Sequence, residues 1–384
     1  MVFAFMAMAA LVIDMGIVRQ AQRQMQTAVD GAALEGLRFR DGVPAAWLND
    51  PTMKATLEAI AGPTPAMPQD PTQTNWQQWL EKVRRALAAK LVANLCDDNF
   101  NPDDGDPWNY GAGPLIDLTG GTDLGDGFQG SATISLPAST SYKPILAANS
   151  ANDPSGDIVA GTYVSASPHA EQSDYSRQDF SAANHGNALL VRLRRTNETN
   201  ANASNVSNGG AIPYLFGRGS LLALQNKATG ISVRATAIAQ ATPANSVGMP
   251  NSAINLPGVT PFALSAGLWS TLASNTSQTF SLSSLTTSSP PQLQFVSLTS
   301  PAQVGDTLTS TNSPAAGDGY APIYQNNTIV GFGYVNLTLG GVDQVTIIAK
   351  KNQIVNENAS ATFIRPASTI STITDGVLVP ALVR

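Results

Sequence analysis

MVFAFMAMAALVIDMGIVRQAQRQMQTAVDGAALEGLRFR (1–40) is the stretch on which the reading of this chain turns. No charged side chain precedes Asp14, no proline interrupts the segment, and most of its residues are good helix formers. One continuous helix is predicted. Val18, Ala21, Met25, Ala28 and Ala32 recur at alternating spacings of three and four, which puts them on one side of that helix. The first half reads as an apolar rod and the second as a helix with a packing face. Beyond residue 42 the chain reads as a large polar domain that the rod carries.

The use of the rod decides the function. At about 1.5 Å per residue, the apolar run to Ile13 is roughly 20 Å long, and extension to Val18 gives roughly 27 Å. A bilayer core of about 30 Å is barely crossed, and only if Asp14 is tolerated. Three readings stay open on length and composition. The run resembles a signal peptide in its small residues Ala7, Ala9 and Ala10, although the first basic residue is Arg19. It suits a plain membrane anchor. It also suits a pilin-type helix, held in a membrane before assembly and buried among sister helices afterwards.

The segment VIDMGIVRQAQRQMQTAVDGAALEGLR resembles the N-terminal signature of the TadE/TadG-like (tight-adherence, Flp pilus-assembly) family. That signature is an apolar helix, an Asp-x-Gly step, a polar helix with Arg and Gln, then an Ala- and Asp-rich run. Asp14, Gly16, Arg19, Gln26, Ala28, Asp30, Ala32, Ala33 and Leu34 occupy the matching positions. ALLVRLRRT (188–196) and GISVRATAIAQ (230–240) are similar, more weakly, to paired strands found downstream in such chains. Type IV pilins proper carry a Glu near the start of the mature helix, where this chain has Phe5. The resemblance implies a structural cell-surface protein, anchored first in the inner membrane and then assembled with copies of itself or with other pilus components.

Composition agrees with that expectation. Of 384 residues only 12% are charged, while 43% are hydrophobic, so the chain is neither disordered nor short of core. The formal net charge of −6 argues against a nucleic-acid partner, which would need clustered Lys and Arg. The one dense basic group, Arg192, Arg194 and Arg195, reads as the solvated face of an alternating strand. A single cysteine, Cys96, excludes an intrachain disulfide. The expected class is α+β, with a long N-terminal hydrophobic helix and short helices before a β-rich, sandwich-like outer domain. Its divisions are the helix 1–40, a helical segment 41–96, a β-rich domain 97–241, a linker 242–260, and a C-terminal β domain 261–384.

Within that frame, Pro51 starts a short helix that Gly62 and Pro63 stop. TQTNWQQWLEKVRRALAAKLVANL (72–95) is a second helix, with Trp76, Trp79, Leu80, Val83, Leu87, Leu91 and Leu95 as its apolar stripe. NALLVRLRRT is a strand with Leu189, Val191 and Leu193 facing one way. Farther on, FSLSSL, QLQFVSL, TIVGFGYVNLTL, VDQVTIIAK and ATFIRPA read as short strands between turns.

Asp97, Asp98, Asn99, Asn101, Asp103, Asp104 and Asp106 crowd oxygen ligands into ten residues. Such density suits Ca²⁺, with Asp97, Asp98, Asp103, Asp104 and Asp106 as the candidate ligands. The spacing fails the EF-hand pattern, and the bland alternative is a solvated loop whose Asx side chains cap turns. Catalysis finds no motif: His169 and His185 both sit in polar loop contexts, and no cofactor other than calcium is expected. No enzyme is predicted. A membrane-anchored adhesin, binding a surface or glycan through its outer loops, is the alternative to the filament subunit.

Overall fold

Good helix formers without a break carry α1 over Val2–Arg38. The computed structural model describes residues 2–43, 45–66, 74–97, 115–117, 145–147, 149, 151–163, 180–195, 212–213, 230–250, 258–298, 301–354, 371–373 and 375–383. Two short helices come after α1: α2 over Ala45–Asn49 and α3 over Pro51–Ala61. Asp50 fixes the start of α3 by accepting the backbone N–H groups of Thr52 (2.8 Å) and Met53 (3.3 Å). Pro51 takes a first-turn position that needs no donor, and Gly62, at φ 87°, ends the helix. Helix α4 covers Thr74–Asp97. Its Trp76, Trp79, Leu80 and Val83 are buried with Phe39, Val43 and Leu57, and the two indoles stack 5.1 Å apart.

The chain divides into two compact units, one of Met1–Gln240 with Ala381–Arg384, the other of Ala241–Pro380. In the first, β1 (Leu115–Asp117) and β2 (Ile145–Ala147) form a parallel pair. Its main strands are β3 (Ile158–Tyr163), β4 (Phe180–Ala182) and β5 (Ala188–Arg195). A small pair, β6 (Ile212–Pro213) and β7 (Gly230–Ile231), precedes β8 (Val233–Pro243). With the last strand of the chain, β18 (Leu378–Leu382), these make a sheet in the order β18-β8-β5-β3-β4. Ala188, Leu189, Leu190 and Val191 are all buried, so the centre of β5 is covered on both faces. Leu190 packs with Val159 and Ile238 on one side, while α1 lies against β5 and meets Leu189.

The second unit begins with β9 (Ser246–Val247), which lies within residues 242–260, and continues with β10 (Phe262–Ser265). Helix α5 (Ala266–Thr271), β11 (Ser277–Ser281) and α6 (Leu282–Thr287) are next. Then come β12 (Leu293–Val296), β13 (Ala302–Gln303), β14 (Ser310–Thr311), β15 (Gly317–Gln325), β16 (Thr328–Leu339) and β17 (Gln344–Lys350). Seven of these strands form a mixed sheet in the order β11-β17-β16-β15-β10-β12-β14. Alternation along β15 sends Ala321 and Ile323 into one core and Tyr320 and Tyr324 into another, so each face is packed. The class is α+β.

One strand expectation fails in part. FSLSSL is not a strand throughout, because α6 begins at Leu282. The Ser281 hydroxyl accepts the Ser284 N–H (3.2 Å), and the Asp343 carboxylate accepts that of Ser283 (2.6 Å). Two donors at the helix start are thereby satisfied, which alternation alone does not disclose. The ATFIRPA strand lies outside the described residues.

Candidate functional site: the N-terminal helix

Thirty-seven residues give α1 a length of about 55 Å, and its two halves live in different surroundings. From Val18 onward one face is in the core of the first unit: Val18, Ala21, Met25, Ala28, Val29, Ala32, Ala33 and Leu37 are buried. Small residues let the neighbours come close. A Cβ on Gly36 would stand 2.5 Å from Leu189 Cδ2 and 2.8 Å from Ala88 Cβ, so β5 and α4 both press on that turn. Gln26 pins the helix to β8, its Nε2 donating to the Thr236 carbonyl (3.0 Å) and to Asp30 (2.8 Å). Half-buried Asp30 thus serves an intrachain contact.

The earlier half is different. Phe5 (65% exposed), Met8, Leu11 (62%), Val12 (70%), Ile13 and Met15 present large apolar side chains to solvent. Leu11, Val12 and Ile13 are successive residues, so the exposure runs round the helix instead of along one stripe. Within it, Asp14 is 5% exposed and is engaged inside the chain. Gly16 stands in the open, with nothing within 4 Å of an added Cβ. No helix among the described residues is long and apolar enough to cross a membrane.

Of the residues singled out in the sequence, Val18, Ala21, Met25, Ala28 and Ala32 are therefore brought together, with their shared face against this chain's own α4 and β5. The candidate calcium ligands are not brought into view: Asp97 ends α4, and Asp98, Asp103, Asp104 and Asp106 lie outside the described residues. Among the described residues no group of three or more His, Cys, Asp or Glu gathers as a metal site would.

A cluster that sequence reasoning missed lies beside the C-terminal end of α1. Glu81 is buried on α4 with Arg84 and Arg85. Its Oε2 accepts Arg84 Nε (3.1 Å) and Arg85 Nη1 (2.8 Å). Its Oε1 lies 2.7 Å from Arg84 Nη2 and accepts the backbone N–H of His185 across 2.8 Å. Arg40 grips Asp41 with two hydrogen bonds, Nε to Oδ1 (2.9 Å) and Nη2 to Oδ2 (2.8 Å). The His185 ring stands 3.5 Å from that same Oδ1. Burial pushes the Arg85 guanidinium down to about 10, against the pull of Glu81. Burial likewise lowers His185, with Asp41 opposing it, Arg40 and Arg84 reinforcing it, and Glu81 opposing it again. The i,i+3 and i,i+4 spacing of Glu81 with Arg84 and Arg85 was the available signal. Charged helix faces are ordinarily solvated, and this one is covered. Arg192 and Arg194 stay half-exposed on the outer side of their alternating strand and are paired there as well. Arg192 donates to the carbonyls of Gly156 and Pro154 (both 3.2 Å), and Arg194 pairs with buried Asp157 (3.0 Å).

The chain is of the α+β class, with an N-terminal helix that is part core element and part exposed apolar rod. Residues 1–41 match the family described as "Putative Flp pilus-assembly TadE/G-like", the family whose signature the sequence resembles. No curated protein and no solved structure gives a significant match. The matched segment covers α1 and the turn after it, and the match is to a pilus-assembly class, which is structural in character.

Proposed function

We propose that this protein is a Tad-type, pilus-associated component of the cell envelope, and that Phe5, Met8, Leu11, Val12, Ile13 and Met15 of α1 form its association surface. The exposed apolar half of α1 carries this reading. Each large apolar side chain left in water forgoes roughly 1.5–3 kcal/mol that burial would supply. A helix segment apolar all round calls for surroundings on every side, as in a bundle of sister helices or a lipid phase. The rest of the helix cannot serve that need without unpacking the first unit. As a pilin-like subunit, the chain would bury this rod among copies of itself or other pilus subunits.

The test is a double substitution, Leu11→Asp with Val12→Asp, in the full chain. Neither residue is in a core, so the melting temperature should match the parent. Sedimentation velocity in detergent-free buffer should show the parent as large assemblies and the variant as a monomer. Equal association by both would overturn the assignment. A parent that floats with phosphatidylglycerol vesicles yet never self-associates would replace the filament subunit by an anchored adhesin.

A further inference from the structure

We infer that His185 is an acid-sensitive latch, which holds the turn between β4 and β5 against α4 and the end of α1 only while its imidazole is neutral. Ala183, Asn184 and Asn187 tie the turn to β3 and the segment before it, and the His185 backbone N–H ties it to α4 through the buried carboxylate of Glu81 (2.8 Å). His185 adopts φ 56°, and a Cβ on the following Gly186 would collide with the backbone of Gly161 on β3. The turn is therefore seated tightly, with the imidazole turned toward the helices.

Charge decides what a proton would do there. Asp41 and Arg40 face the ring from the segment after α1, and Glu81 and Arg84 face it from α4. Both carboxylates are already occupied: Asp41 holds Arg40 through both oxygens, and Glu81 holds Arg84 and Arg85. Among the described residues, two guanidinium groups and two carboxylates thus act on the ring, and a third guanidinium, Arg85, shares Glu81 with Arg84. An imidazolium also carries a donor on each nitrogen. Nε2 has Asp41 at 3.5 Å, but Nδ1 is buried with no hydrogen-bond partner. Protonation adds a fourth cation and leaves a buried donor unsatisfied, which is costly in an apolar setting.

The sign comes from linkage. The folded state binds the proton more weakly than the unfolded chain does, so stability is full above the unfolded value of about 6.5 and falls as pH drops below it. The contact released first should be that of the turn with α4, because its anchor there is the carboxylate that the new cation disturbs. Loosening there reaches the seam where α1, α4 and β5 meet.

Two measurements on the full chain test this. The His185 Cε1–H resonance, assigned by its loss in His185→Asn, should titrate below 6.5. Asn tolerates the left-handed backbone conformation, so the variant keeps the turn. Hydrogen exchange, corrected for intrinsic rate, should show residues 180–187 losing tenfold or more protection between pH 7.5 and pH 5 in the parent but not in the variant. A ring that titrates at or above 6.5 overturns the latch, as does equal loss of protection in both proteins. Should the variant fail to fold, the titration of the parent ring decides alone.

Discussion

Glu81 shows how far a single side chain can bind three elements. Its two oxygens serve Arg84 and Arg85 on its own helix and the His185 amide on the β4–β5 turn, all in a buried setting. Glu81→Gln keeps the volume but removes the charge, leaving two guanidinium groups without their counter-ion. Breaking a buried pair in this way typically costs about 3–5 kcal/mol, and denaturant unfolding of the full chain should register that loss. Lys54→Ala, which removes the 3.9 Å pair with Glu58 on an exposed face of α3, should leave the same curve unchanged. Equal effects from the two would sink the distinction. At this scale the sequence was a partial guide. The spacing of Ala21, Met25, Ala28 and Ala32 announced a packing face, but periodicity carries no information on what lies opposite. The oxygen-rich run 97–106 was equally legible as chemistry, and its candidate ligands other than Asp97 fall outside the described residues.

At the scale of elements, local rules worked where one residue dominates. Asp50, Pro51 and Gly62 bounded α3, and the run TIVGFGYVNLTL became β16 over its whole length. They failed where a distant group intervenes, as when Asp343 helps to turn FSLSSL from strand into helix. Helix α1 offers a test in which one substitution has opposite effects at two places. Gly16 has open space around it, so Gly16→Ala should gain up to about 1 kcal/mol from helix propensity alone. Gly36→Ala drives a methyl group into Leu189 and Ala88, and overpacking of about 1–3 kcal/mol should exceed the same gain. Thermal melts of both variants decide the matter. Destabilisation by Gly16→Ala would mean that its surroundings are not open. If that variant is more stable yet associates poorly, the glycine is kept for contact with another molecule.

For the whole molecule, the sequence divided a rod from a body near residue 40, whereas burial changes along the rod itself. Met25, Ala28, Val29, Ala32, Ala33 and Leu37 are wholly inside the first unit, and Phe5, Met8, Leu11, Val12 and Ile13 contribute exposed apolar surface. Hydrophobicity cannot distinguish these halves, because both a core face and an association surface are apolar; only the positions of α4 and β5 separate them. Two truncations turn this into a prediction. Removing residues 1–13 takes away the exposed Phe5, Met8, Leu11, Val12 and Ile13, so the first unit should keep its melting temperature and become more soluble. Removing residues 1–40 strips α4 and one face of β5 of their cover. Several large-to-small losses, each worth about 2–5 kcal/mol for a buried aliphatic side chain, then exceed the roughly 5–15 kcal/mol that usually stabilises a domain. The first unit should lose its cooperative transition. Residues 241–380, with two packed faces on one sheet and a domain's ordinary length, should still melt cooperatively when expressed alone. Calorimetry on the three pieces gives the answer. A first unit that melts normally without residues 1–40 would return the whole of α1 to the role of a carried rod.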